Sequence, residues 1–486
     1  MKSFNNIKRA KGIGKVLLSF SVLYIFPLLI SCEDWFDVTP KSQVKEEALF
    51  SSESGFQDAL FGVYSLMGTT DIYGGNSTMG LMDILAQNYS ELNSINNMVH
   101  ALSYDYDDST VKGCIDSQWQ GYYQAIANCN YLLKNIESNG KKISEPIRKL
   151  VEGEAYAIRA YLLFDALRGY APSYTVGKDM RGIPYVDHVT NAPVRPLTVA
   201  ETIERLISDL QYARELVKEI DPIGPAFDVY TEEPSYSVSD YSRDGGFWLY
   251  RSSRMNYWAM TALLARISLY KGDKSHALEY ANEVIQSNRF RFATNNIIDA
   301  AANSYPSLKL MECVAHNEYI FGIYVYGLKE KCSDNYFMDY SVQATISQIR
   351  KNAVFTPQGI DFDIRAKRFF ALSSSSSREY SAKYMTGTQI PLLKIGEMYL
   401  IAAEASGDIK YLKELRRQRG YSSDEDTSNF EQLLTGEYQR EFIAEGQLFY
   451  YYKRLNFNEI PFSGIAATDK IYVLPLPDDE TEFGNY

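Results

Sequence analysis

The chain has 486 residues, 49 of them basic and 61 acidic, for a formal net charge of −12. That balance excludes nucleic acid and anionic membrane surfaces as partners of the folded body, because both repel a strongly acidic protein. Aromatic residues make up 14% of the chain and 39 of its residues are tyrosines, whose flat apolar ring and polar tip suit wet binding surfaces.

Met1 to Lys15 carries Lys2, Lys8, Arg9, Lys11 and Lys15 and no acid, and Val16 to Ile30 is then almost wholly apolar. A basic head and a short apolar run read as a secretory signal. The run falls short of the ~20 residues a membrane span needs. Leu28-Leu29-Ile30-Ser31-Cys32 resembles a bacterial lipobox. Cleavage before Cys32 makes residues 1–31 a lipoprotein signal peptide and leaves Cys32 acylated, so that the protein meets the membrane through lipid only. An ordinary signal peptide ending near a cysteine is the alternative. Loss of the leader takes the net charge to −17. Residues 32–54 then form a polar tether, with Glu33, Asp34 and Asp37 directly behind the cysteine.

Ser52 starts a helical pattern in which Phe56, Leu60, Val63 and Met67 recur at spacings of three and four. Gly68 to Gly80 reads as a loop with Tyr73 exposed, and Leu81 to Ala86 as a short helix. The stretch 88–108 reads as loop and short helix. Trp119 to Ile136 has helical period. Pro146 near a first turn opens another helix that runs to Tyr170 and is apolar nearly all round, the mark of a helix packed on several sides. Ala171 to Pro196 reads as loop. Thr198 and Glu201 form a capping box for a helix to about Ile220. Asp221 to Tyr257 lacks helical period, and a loop of that length in a compact domain is usually functional.

Trp258–Lys271 and Lys274–Gln286 make a helix pair joined by Gly272-Asp273, with packing residues placed as in a tetratricopeptide hairpin. Met398–Ala405 and Ile409–Arg419 repeat the device around Gly407-Asp408. Short strands are expected near Glu318–Tyr326, and one aromatic helix over Tyr438–Leu455. The fold class is mostly α: tetratricopeptide-like helix pairs form a scaffold with a loop-rich ligand-binding region. The expected domain is single, 55–486, with an N-terminal part to about 220, an insert over 221–257 and a C-terminal part from 258.

Cys114, Cys129, Cys313 and Cys332 show no CxxC spacing and the four histidines are scattered, so no metal or other cofactor is expected. The pairs Cys114–Cys129 and Cys313–Cys332 stand open between two disulfides and four thiols. Glu441 and Glu445, four apart on one helix, are the only pair that invites an acid–base reading. Carboxylates that cut a glycosidic bond flank it at roughly 5–9 Å from separate elements. Helix-face neighbours are instead solvated or paired to arginine, with Arg440 and Arg454 at hand, so no catalytic residue is assigned. Arg159 is expected in a structural ion pair with a neighbouring glutamate, with ligand contact as the alternative.

Several stretches taken together resemble the SusD/RagB family of outer-membrane nutrient-binding lipoproteins. They are Gly153–Tyr174 with Gly182–Val186, Ala262–Ile285, Leu392–Asp408, Leu412–Gly420, Glu437–Asn456 and Tyr472–Glu480, in the family's order. The resemblance implies four tetratricopeptide-like pairs and a loop-borne ligand site. It also implies a cell-surface place on the outer membrane and partnership with a SusC-type TonB-dependent barrel. The cargo it implies is an oligosaccharide, with an oligopeptide as the alternative. A surface glycoside hydrolase and a purely structural scaffold are the rival classes. The third repeat departs from the family by being short between Glu404 and Leu412.

Loops on a rigid scaffold concentrate binding residues. The expected ligand contacts are therefore the loop residues Tyr73, Asn76, Tyr104, Tyr236, Tyr241, Trp248 and Tyr250, with Tyr106 beside them. Arg243, Arg251 and Arg254 are a candidate basic patch near Trp248.

Overall fold

Ser52 opens the first helix, α1 (Glu53–Met67), by accepting a hydrogen bond from the Gly55 N–H through its side chain. The expected stripe of Phe56, Leu60, Val63 and Met67 is buried. The computed structural model describes residues 46–92, 98–227, 246–292, 317–332, 336, 344–355, 359–372, 378–384, 387–422 and 428–484. The chain divides into a leading unit, Met1–Ser51, of which a helical turn at 46–49 is described, and a body, Ser52–Tyr486. Cys32 and the signal segment lie outside the described residues.

After a run of turns over 68–80 and the short α2 (Leu81–Leu85), the chain enters α3 (Ser109–Asn139). This helix begins ten residues before the expected Trp119. The Asp108 carboxylate accepts from the Thr110 and Val111 N–H groups at 2.9 and 3.1 Å and so caps it. The buried stripe extends back through Ile115 and Val111, between polar residues that conceal it. Cys114 and Cys129, both on α3, are free thiols, as is Cys332. Fifteen residues of helix separate the first two by about 22 Å, far beyond disulfide reach.

The next helices are α4 (Glu145–Tyr170), α5 (Val199–Val217), α6 (Tyr257–Lys271), α7 (Lys274–Gln286), α8 (Ile395–Ser406) and α9 (Ile409–Gln418). Each packs on the one before it, from α3 to α9, as a stack of hairpins. The capping box at Thr198 and Glu201 is formed. Helix α4 is buried on nearly every side, as expected. A Cβ at Gly153 would stand 2.6 Å from Val217 Cγ1, so the glycine sets how closely α4 and α5 approach. The two Gly-Asp turns work alike. Gly272 (φ 83) and Gly407 (φ 68) end their helices in the left-handed region, which costs an L side chain roughly 1–2 kcal/mol. Asp273 and Asp408 then cap the following helices by accepting from the His276 and Lys410 N–H groups.

The expected helix over Tyr438–Leu455 is two helices, α10 (Phe430–Glu441) and α11 (Leu448–Arg454). Between them Ala444 (φ 62) and Gly446 (φ 69) turn left-handed. The buried Asp83 of α2 accepts from both their N–H groups, at 2.5 and 2.9 Å. A Cβ at Gly446 would meet the Ser77 carbonyl oxygen at 2.1 Å. The break is thus imposed by the 68–83 segment, which no helical period could reveal.

Strands among the described residues form two-stranded antiparallel ribbons, of which two are short: β1 (Glu91–Leu92) with β5 (Ala344–Thr345) and β6 (Phe370–Leu372) with β7 (Glu379–Ser381). The longest pairs β4 (Tyr319–Tyr324), where strands are expected, with β8 (Gln389–Lys394), where none is. The expected loop 171–196 contains a helical turn at Tyr174–Gly177 and β2 (Arg181–Pro184), which pairs with β3 (Pro196–Thr198).

Candidate aromatic binding face

The segment 246–257 is held to the scaffold by charge, beneath its own aromatic surface. Glu154 of α4, fully buried, accepts from Arg254 Nη2 at 2.7 Å, Arg254 Nε at 3.1 Å, Arg251 Nη1 and the Tyr64 hydroxyl. Asp221 accepts from Arg251 Nε at 2.9 Å and Nη2 at 3.0 Å. Burial on its own would lower the Arg251 pKa, but Asp221 and Glu154 outweigh it and hold the guanidinium well above its ordinary value. Burial, then the Glu154 charge, raises the Tyr64 phenol well above its usual range. Arg251 and Arg254 are therefore no surface patch: both are buried and neutralised. Arg243 lies outside the described residues.

Over this anchor the rings are ordered. The Arg254 guanidinium sits 4.2 Å from the Phe247 ring centre and 5.2 Å from that of Phe61. Phe247 meets Phe61 edge-on at 5.8 Å and Trp248 at 6.2 Å. Trp248 is left half-buried. Tyr250, at φ 55, turns outward and is 73% exposed. The end of β4 adjoins the same segment, because Gln389, the partner of Tyr324, donates to Ser253 Oγ at 2.6 Å. Tyr324 (54% exposed) and Tyr326 (83%) flank the buried Val325 and lie on one side of the chain. Phe61, on the outer side of α1, is also exposed. Exposed Phe, Trp and Tyr rings on neighbouring, internally pinned elements form a face that stacks on flat apolar surfaces and hydrogen-bonds at its edges.

Of the residues expected to touch ligand, the structure brings Trp248 and Tyr250 to this face. Tyr236 and Tyr241 lie outside the described residues. Tyr73, expected to be exposed, is buried: its hydroxyl donates to Asp165 Oδ2 at 2.8 Å, and its ring meets Tyr161 at 5.5 Å and Tyr122 at 6.0 Å. Asn76 is buried too and donates from Nδ2 to the Cys114 carbonyl and Ser117 Oγ, both at 3.3 Å. Tyr104 donates to the Leu85 carbonyl at 3.3 Å, and burial pushes its phenol up to about 12. Tyr106 donates to the Ile471 carbonyl at 2.6 Å. The glycine-rich 68–80 segment is a packing unit that buries Tyr73 and Asn76; outside it Tyr104 is buried and Tyr106 half-buried. Tyr324, Tyr326 and Phe61 were missed by sequence reasoning. The alternation of Tyr324 and Tyr326 about Val325 was the available signal, hidden within a stretch read only as strand.

Glu441 and Glu445 are 1% and 4% exposed. Their partners are not Arg440 or Arg454. Glu441 accepts from Arg365 at 2.8 Å and Arg419 at 2.6 Å and lies 3.1 Å from Lys394. Glu445 accepts from Lys383 and Lys394 at 2.5 and 2.7 Å. Burial opposes ionisation of Glu441, but Arg419, Lys394 and Arg365 overcome it and hold the carboxyl well below its usual range. Arg159 makes an ion pair, but its partner is Asp209 at 2.8 Å and not a glutamate. Among the described residues no group of three or more His, Cys, Asp or Glu side chains is placed to hold a metal. No described helix is long and apolar enough to cross a membrane.

A family model described as starch-binding, associating with the outer membrane, matches residues 34–222. SusD-like protein P25 of Formosa agariphila is 28% identical over 217 residues, which is 41% of this chain and 38% of that relative's own length. Among solved structures, a SusD superfamily protein of Bacteroides thetaiotaomicron superposes with a TM-score of 0.67 at 21% identity, over 89% of this chain and 98% of that one. A putative sugar binding protein of Bacteroides vulgatus gives 0.64 at 23%, over 89% and 97%. The surface glycan-binding protein A of B. thetaiotaomicron, solved with laminarihexaose, gives 0.61 at 15%, over 89% and 98%. These structural likenesses establish the shared fold.

Proposed function

We propose that the chain is a protein of the SusD/RagB type, as the family-model match over residues 34–222 supports, and that it captures a neutral oligosaccharide on the aromatic face around Trp248, Tyr250, Tyr324 and Tyr326. The carrying observation is that Tyr250, Tyr324 and Tyr326 are exposed and Trp248 half-buried, while Arg251 and Arg254, among the described residues of the segment, are buried and paired. A face of that kind offers stacking area and hydroxyl edges without net charge. Sugar rings have matching apolar faces and hydroxyl rims. The glycan complex of a structural neighbour supports the same class of cargo. The role is binding and delivery, without bond cleavage. Delivery is to a SusC-type TonB-dependent barrel in the outer membrane, with Cys32 as the lipid anchor that keeps the protein at the cell surface.

Calorimetric titration of the mature chain with pools of neutral oligosaccharides and of oligopeptides tests the reading. Saccharide binding that weakens on Trp248→Ala and on Tyr324→Ala is expected. Saccharide binding that survives both substitutions unchanged would place the site elsewhere, and shortening of the glycan would overturn the binding-only role. Undiminished membrane association of a Cys32→Ala chain would refute the anchor.

A further inference from the structure

The hairpin of α3 and α4 carries a groove that the chain itself fills over half its length. After β2 the backbone crosses this hairpin as a strap, 184–188, and the helices hold it by its main chain. The Tyr123 hydroxyl donates to the Pro184 carbonyl at 2.9 Å. Asn130 Nδ2 donates to the Val186 and His188 carbonyls at 2.8 and 3.3 Å. Arg159 Nη1 donates to the Asp187 carbonyl at 2.9 Å, and its Nη2 to Asp209 at 2.8 Å. The carbonyls at alternate positions 184, 186 and 188 thus face α3, as an extended chain requires. The two α3 donors are seven residues apart, which returns them to one side of the helix within ~20°.

The groove does not end with the strap. Beyond His188 and Val189 it continues to the turn after α3 as an open space of about 1120 Å³. The next residue in the α3 series, Glu137, lies along it, as do Leu133 and, from α4, Tyr156 and Glu152. Arg159 stands at the junction, buried, with its Nε lacking a hydrogen-bond partner. From Asn130 to Gly140 the helix rises ~15 Å, room for four or five extended residues.

We infer that this open half binds an extended polypeptide segment of a partner protein, laid end to end with the chain's own strap. The strap is the evidence for the class of occupant: the same hairpin already holds an extended main chain by its carbonyls, through Tyr123, Asn130 and Arg159. The surface is separate from the aromatic face and does not depend on it.

A library of acetylated, amidated octapeptides of random sequence, screened on the mature chain and followed by titration of the best binders, tests the inference. Glu137→Trp, an exposed substitution that fills the open half, is expected to weaken those peptides roughly tenfold or more. Tyr324→Ala, on the other face, is expected to leave them unchanged. The inference fails if no octapeptide binds. It fails equally if the binders are insensitive to both Glu137→Trp and Leu133→Trp, or if a neutral oligosaccharide displaces them from the groove. Saccharide titration of the Glu137→Trp chain reports on the aromatic face by itself, so failure of one site is told from failure of the other.

Discussion

Along α6 every residue from Tyr257 to Tyr270 is buried, and Arg266 is the single charged one. Along α10 the buried set is Leu434, Glu437, Tyr438, Arg440 and Glu441, so charge dominates it. In the hairpin stack, apolar side chains meet across helices, and along α6 the one buried charge, Arg266, pairs with a single carboxylate, Glu397, at 2.6 Å. At the α10–α11 crossing the charges join up: Glu437 alone holds Arg365, Arg416 and Arg440 at 2.8, 2.5 and 2.7 Å. Dispersion and hydrophobic burial come in small increments that tolerate loss. Buried charges hold only while every partner is present.

The largest effect expected is therefore at Glu437. Glu437→Ala takes a shared carboxylate from three buried guanidinium groups and is expected to cost about 3–5 kcal/mol in denaturant unfolding. A loss under about 1 kcal/mol would show the crossing to be no different from the stack. Truncation of Leu264 to alanine in α6 is expected to cost about 2–4 kcal/mol, the price of a core cavity. The two regions should also differ in additivity. Glu437→Ala with Arg416→Ala is expected to depart from the sum of the singles by about 0.5–3 kcal/mol, whereas Leu264→Ala with Thr198→Ala should add within about 0.5 kcal/mol.

The stack was legible because its signal is local. Phe56, Leu60, Val63 and Met67 announce a buried face by spacing alone, and Gly-Asp marks a turn wherever it falls. The crossing was not legible, because Glu441 and Glu445 have the same spacing as a solvated pair, and Arg365 lies 76 positions from Glu441. Tyr73 failed for the same reason: its glycine-rich neighbours signalled a surface loop, while its partner Asp165 lies 92 positions away. Trp248 and Tyr250 were placed at the surface because the segment around them lacks helical period. Their anchor, Arg254 on Glu154, was not readable from that.

Two carboxyls at the crossing shift in opposite directions, and pH separates them. Burial raises Asp83 to about 7, against the opposing pull of the Gly446 N–H, Asn88, the Ala444 N–H and Lys383. A folded pKa above the unfolded one gives stability that is present at low pH and lost as pH rises through about 7. For Glu437 burial is outweighed by Arg365, Arg440 and Arg416, and the carboxyl falls to about 2. Its contribution is present above pH 4.5 and lost as pH falls toward 2. Thermal unfolding is thus expected to show lower stability at pH 8 than at pH 6, with the slope flattened in Asp83→Asn. An unchanged slope in that variant would assign the effect to another group.

The smallest expected effect on stability is at the aromatic face. Tyr326→Ala, at a side chain 83% exposed, should shift unfolding by no more than about 0.5 kcal/mol. The same change should weaken saccharide binding measurably, which separates surface chemistry from scaffold.

The clasp of Asp83 on Ala444 and Gly446 carries a consequence for how the polypeptide reaches its final form. The bonded residues Asp83 and Gly446 are 363 positions apart. Closing so large a loop is slow, since its entropy is lost before any contact repays it. The hairpins from α3 to α7 can assemble in order as the chain emerges, each on the last. The carboxyl of Asp83 must wait, desolvated or exposed, until nearly the whole chain is available. The protein should therefore fold with an early phase that forms the stack and a late one that seals it. Chains cut before residue 440 should stop at the first, with α2 open to proteolysis.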